Sequence, residues 1–133
     1  MTMSRCLAPL AAPLLTAWIA ACDVGGPVAC TGSVEPAVVV EIRDARTGVP
    51  LAERAAGAVR EGAFVDSLTP YAFLGSDPSS MYSRRAANER PGRYEVEVQL
   101  AGYLPWAAGD VRVADGQCHV RTVTLQARLQ PAP

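Results

Sequence analysis

Lysine is absent from this chain of 133 residues, so all 12 basic side chains are arginine. That excludes Schiff-base chemistry, a phosphate-loop lysine and Ser–Lys catalysis, each of which needs a titratable or compact amine. Histidine occurs once, as His119, which rules out His-rich metal sites and catalysis by paired histidines. Aromatic residues make up 6% and charged residues 19%. The 12 basic and 13 acidic side chains leave a net charge of −1, so no basic excess points to nucleic acid. No apolar run reaches the roughly 20 residues that a membrane-crossing helix needs. What remains is a half-apolar chain with 11 glycines, 11 prolines and 4 cysteines. Its length suits one domain, or one domain and a processing segment.

The N-terminus reads as such a segment. Met1–Arg5 carries one positive charge and no acid, and Leu7–Ala21 is a 15-residue apolar run broken by Pro9 and Pro13. That length fits the apolar region of a signal peptide. The run ends in Ile19-Ala20-Ala21-Cys22, which resembles the bacterial lipoprotein signal: an aliphatic residue, two small ones, then the cysteine that receives lipid and becomes the new N-terminus. The resemblance implies a leader over 1–21, lipidation at Cys22 and an extracytoplasmic, membrane-anchored location at the cell envelope. Which membrane stays open, and the alternative is an ordinary secretory signal containing Cys22.

With Cys6 in the leader and Cys22 lipidated, Cys30 and Cys118 remain. Two cysteines in an exported domain predict one disulfide. Two free thiols binding metal would lack further ligands, because His119 is the sole imidazole. Residues 22–36 contain the Gly/Pro-rich stretch Asp23–Ala29, expected to be a linker.

Alternation in the mature chain predicts strands. In Ala37–Arg43, Val38, Val40 and Ile42 share one face, with Val39, Glu41 and Arg43 opposite. Asp44 to Gly48 supplies turn chemistry. Ala55–Glu61 and Ala63–Leu68 read as a hairpin about Gly62, and Leu51–Val59 is the one short, uncapped helical possibility. Pro70–Pro91 reads as a long connection holding one or two short strands. In Arg93–Ala101, Tyr94, Val96, Val98 and Leu100 alternate with polar residues. Val111 and Val113 flank Arg112. Val123, Leu125, Ala127 and Leu129 form a final inner set, and the out-of-phase Val120 predicts a bulge or twist near Arg121–Thr122. Spacing of this kind with almost no helix predicts an all-β, seven-stranded β-sandwich over 37–130, with a tail at 131–133.

Val38–Ile42 followed by Asp44-x-x-Thr47-Gly48-x-Pro50-Leu51, Pro91-Gly92-x-Tyr94-x-Val96-x-Val98 and Ala101-Gly102-Tyr103 resembles the carboxypeptidase regulatory-like domains, which are transthyretin-like (prealbumin-like) sandwiches. The resemblance covers Val34–Leu129. It implies a fold and a non-catalytic module, with Gly102-Tyr103 as a corner after a core strand.

Candidate sites are few. His119 has no Gly-x-Ser-x-Gly elbow to serve; Ser76, Ser79 and Ser80 lie in a loop with Asp77, and His119 reads as a surface or edge residue. Trp106, Tyr71 and Tyr82 are the candidate ligand-binding residues of a sugar-stacking platform that would also draw on Phe73 and Tyr103. Against this, Tyr94 and Tyr103 suit the core or its corner and Trp106 an end of the sandwich. Arg84, Arg85, Arg90 and Arg93 would attract anionic headgroups unless Glu89, Glu95 and Glu97 neutralise them. Asp77, Asp110 and Asp115 read as turn residues, and no metal or cofactor is expected. The resulting expectation is a non-enzymatic, lipid-anchored module that meets an envelope protein, with a carbohydrate-binding module as the alternative.

Overall fold

The computed structural model describes Gly26, residues 28–71 and residues 82–133. The leader, the Cys22 motif and the Ser76–Ser80 loop lie outside the described residues. Within them the chain is all-β, with eight strands: β1 (Val38–Asp44), β2 (Ala56–Glu61), β3 (Phe64–Ser67), β4 (Thr69–Pro70), β5 (Ser83–Ala86), β6 (Gly92–Gln99), β7 (Trp106–Val113) and β8 (Val123–Leu129). Sheet A has the order β4-β5-β1-β8 and sheet B the order β3-β2-β6-β7.

Among the described residues the sandwich therefore has eight strands, not seven. The extra one arises where the outer arm of the hairpin changes sheet. β3 pairs with β2, the chain turns at the buried Leu68, and Thr69–Pro70 pair with β5. Arg84 holds this corner. Its guanidinium donates to the carbonyls of Ala52, Leu68 and Glu53 at 2.5, 2.9 and 3.1 Å. The conceivable helix reduces to one turn, with the Arg54 and Ala55 amides bonding the Leu51 carbonyl before β2 begins. Gly57 lets β2 approach β6: a Cβ there would collide with the Glu97 carbonyl and the Leu68 side chain.

Alternation translates directly into the core. Val38, Val40, Ile42, Ala127 and Leu129 from sheet A meet Val59, Tyr94, Val96, Val98, Val111 and Val113 from sheet B, all buried. Each such valine, leucine or isoleucine contributes about 1.5–3 kcal/mol over an exposed position. Tyr94 extends through the core and donates its hydroxyl to the Arg90 carbonyl at 2.7 Å, so the buried phenol is satisfied.

β7 starts five residues before the Val111–Val113 alternation because of a bulge. Tyr94 pairs with Val111 but Val96 with Ala108, which leaves Gly109 and Asp110 opposite Glu95 alone, with Asp110 at φ 55°. The bulge shifts the inward phase from even to odd residues. Trp106 consequently opens a strand and, partly buried, packs against the core. The phase break at Val120 is resolved differently from a bulge. Val120 pairs with Asp115 in a separate bridge, and β8 begins at Val123.

β1 occupies the centre of this arrangement, antiparallel to β5 and parallel to β8 in register from Val38↔Val123 to Asp44↔Leu129. Its last residue, Asp44, is buried and organises the following turn. Oδ1 accepts from the Arg46 and Thr47 amides at 2.8 and 2.9 Å, Oδ2 accepts from the Tyr103 hydroxyl at 2.8 Å, and Gly48 completes the turn at φ 73°. These donors, the Thr47 amide foremost, lower the Asp44 pKa to about 2. A folded-state value below the unfolded one, about 3.9, makes the contribution complete above that value and lost as pH falls through the lower one. Asp44→Asn keeps an acceptor oxygen but no charge. The parent protein is expected to lose urea midpoint from about pH 4 downward, and the variant to show a flatter fall. An unchanged acid slope in the variant would contradict this assignment.

Candidate functional site

The residues that precede β1 and β8 converge at one end of the sandwich. Cys30 and Cys118 are joined as a disulfide with Cα atoms 5.3 Å apart across a sequence separation of 88. Because β1 and β8 run parallel, the bond ties the two approaches at the same end. Thr122 adds a second tie, its hydroxyl donating to the Pro36 carbonyl at 2.6 Å.

His119 is not isolated. Its Nδ1 lies 2.7 Å from Glu89 Oε1 and its Nε2 lies 3.1 Å from Thr31 Oγ1, which is itself 2.9 Å from Ser33 Oγ. An ionised carboxylate only accepts, so Nδ1 carries the proton that faces Glu89 and, in the neutral ring, Nε2 accepts from the Thr31 hydroxyl. Glu89 also accepts from the Glu35 amide at 2.7 Å and the Val120 amide at 3.4 Å, while its own amide donates to the Glu35 carbonyl at 2.9 Å. The Glu35 amide above all, then His119 and the Val120 amide, hold this carboxyl below its ordinary pKa against desolvation. Ala87 and Glu89 reach these positions with φ of 56° and 50°, a conformation uncommon outside glycine.

The order hydroxyl, imidazole, carboxylate is that of a proton relay, and separated residues gave no signal of it in the sequence. A relay becomes a catalyst only beside donors for a developing oxyanion and room for a substrate. Here the carboxylate is shared with two backbone amides of segments flanking the disulfide, which makes it the centre of a structural clamp. The open depression of about 510 Å³ lined by Arg60, Glu61, Gly62, Arg93, Tyr94, Glu95 and Asp110 involves none of these residues.

The aromatic candidates do not assemble into one platform. Tyr71 and Tyr82 adjoin sheet A, where Arg85 lies 5.3 Å from the Tyr71 ring and Arg43 lies 4.4 Å from the Tyr82 ring. Trp106 belongs to sheet B. Tyr103 forms the corner with Asp44, and Phe73 lies outside the described residues. The four neighbouring arginines also separate. Arg84 turns inward to carbonyls, Arg85 meets Tyr71, Arg90 pairs with Glu61 at 2.8 Å and Arg93 with Asp110 at 2.9 Å. The neutralising acids are thus Glu61 and Asp110, in place of Glu89, Glu95 and Glu97.

Fold and clamp together define a class, the disulfide-closed all-β sandwich of two four-stranded sheets. No protein-family model matches this chain, and the curated proteins contain no sequence that matches it.

Closing a loop of this length in the unfolded chain stabilises the fold by about 4–5 kcal/mol. Reduction, or Cys30→Ser with Cys118→Ser, is therefore expected to lower the urea-unfolding free energy by that amount. A change below about 1 kcal/mol would show that the clamp rests on Glu89 and His119 instead.

Proposed function

We propose that this chain is a lipid-anchored, extracytoplasmic β-sandwich module of the bacterial cell envelope, non-catalytic and acting by presenting its surface to a partner protein. The observation that carries the reading is the Cys30–Cys118 disulfide, a bond of oxidising compartments. It leaves Cys22, at the end of the apolar run, as the cysteine with lipoprotein-signal context. The two-sheet architecture is compatible with a carboxypeptidase regulatory-like domain and its scaffold role. A glycan platform is the weaker reading, because Trp106 stands on the sheet opposite Tyr71 and Tyr82.

Seven residues separate Cys22 from Cys30, a reach of about 25 Å at roughly 3.5 Å each. An anchored domain would therefore work close to the bilayer. Cys22→Ser is expected to abolish palmitate incorporation and to move the protein from the membrane to the soluble fraction, or to leave the leader uncleaved. Unchanged labelling and fractionation would refute the anchor. Crosslinking of the anchored protein in intact cells is expected to capture an envelope protein; binding confined to a glycan array would favour the alternative.

A further inference from the structure

The near-neutral total conceals a segregation of charge between the two sheets. On sheet B the arginines are neutralised: Arg60 lies 4.0 Å from Glu97, Arg93 2.9 Å and Arg112 3.1 Å from Asp110. Among the described residues, no arginine of sheet A forms such a pair. Register places three arginines on its outer face. Arg43 and Arg128 are direct neighbours on β1 and β8, and Arg85 stands opposite Val39 on the same face. Like charges side by side on paired strands are unfavourable unless something outside compensates them. The acid on this face, Glu41, accepts from the Gln126 amide at 2.6 Å and keeps its charge, so three arginines stand against one carboxylate. The partly buried Tyr71 and Tyr82 lie against Arg85 and Arg43, and Arg43 also donates to the Gly48 carbonyl at 3.1 Å.

We infer that the outer face of sheet A docks the domain onto anionic phospholipid, the guanidinium groups meeting headgroup phosphates and the two tyrosines sitting at headgroup level. The inference rests on the anchored-module reading, and charge complementarity selects the occupant. Guanidinium forks match phosphate oxygens, tyrosines favour the membrane–water interface, and a tether reaching about 25 Å lets the face come within the Debye length, about 8–10 Å, over which the surface potential acts.

The test uses the full-length protein purified from membranes, on vesicles of phosphatidylcholine alone or with phosphatidylglycerol. Flotation with neutral vesicles reads the anchor; hydroxyl-radical footprinting reads the face. Protection of Tyr71 and Tyr82 is expected on phosphatidylglycerol vesicles and not on neutral ones, and it is expected to vanish at high salt. Arg85→Gln with Arg128→Gln should reduce the docked-to-undocked ratio about 25-fold, at about five-fold per charge. Arg60→Gln with Arg112→Gln, an equal loss of charge on sheet B, should leave that ratio unchanged.

Equal protection on both vesicle types, protection of sheet B, or equal losses from the two double variants would overturn the inference. Retention by heparin without a response to phosphatidylglycerol would also overturn it and assign the face to another polyanion. A chain that fails to float with neutral vesicles yet is protected by phosphatidylglycerol would refute the anchor and leave the face standing.

Discussion

The parallel pairing of β1 with β8 is the constraint on which the remaining geometry depends. Parallel neighbours cannot be joined by a tight turn, and here all of sheet B and half of sheet A lie between them in sequence. Closing so long a segment is entropically costly, although the cost grows slowly with length. The disulfide removes much of it from the unfolded chain, while Thr122 and Glu89 fix the same end by hydrogen bonds to Pro36, Glu35 and Val120. At the opposite end of β1, Asp44 links the turn to the Tyr103 corner. Both termini of the central strand are thus held by a carboxylate accepting backbone amides, each with its pKa depressed by the donors it serves. Acid is expected to weaken both ends.

Topology also redistributes charge. Arg84, Arg85, Arg90 and Arg93 are close in sequence but end in four environments: a carbonyl cage, a tyrosine ring, Glu61 and Asp110. Conversely Arg43 and Arg128, 85 positions apart in the chain, become adjacent because β1 and β8 pair in register. A linear cluster is therefore a poor guide to a surface in a sandwich, where neighbours come from hydrogen-bonded strands. The balanced net charge is equally uninformative, since among the described residues the ion pairs gather on one sheet and the arginines of the other meet only carbonyls and rings.

The same logic separates what was legible in the sequence from what was not. Strands with one buried face announce themselves, so β1, β6 and β8 follow directly from alternation, and the β2–β3 hairpin from the turn at Gly62. β7 was half hidden because the Gly109–Asp110 bulge reverses its phase, leaving Val111 and Val113 visible and Trp106 and Ala108 apparently unrelated. β4 was hidden because it is two residues long and continues a run already assigned to the other sheet. The cysteine pair was legible by counting. The Glu89–His119–Thr31 grouping was not, because it combines three remote segments and depends on positive φ at Ala87 and Glu89, which sequence patterns do not mark.

The clamp and the arginine-bearing face meet on the same strand, and this bears on how an anchored form would sit. A tether entering at Cys30 would be fixed beside the start of β1. The outer face of that strand then runs from Arg85, opposite Val39, to Arg43, a distance on the order of 13 Å at about 3.3 Å per residue. A tether attached at one end of a charged face does not by itself orient a domain; it raises the local concentration of that face at the bilayer. The orientation would come from the asymmetry between the sheets, because sheet B offers headgroups self-neutralised pairs. Removing the disulfide would loosen the attachment point without changing the register of Arg43 and Arg128. In the anchored form proposed above, tether and face would be separable parts of one device, the first setting proximity and the second setting which side is presented to a partner.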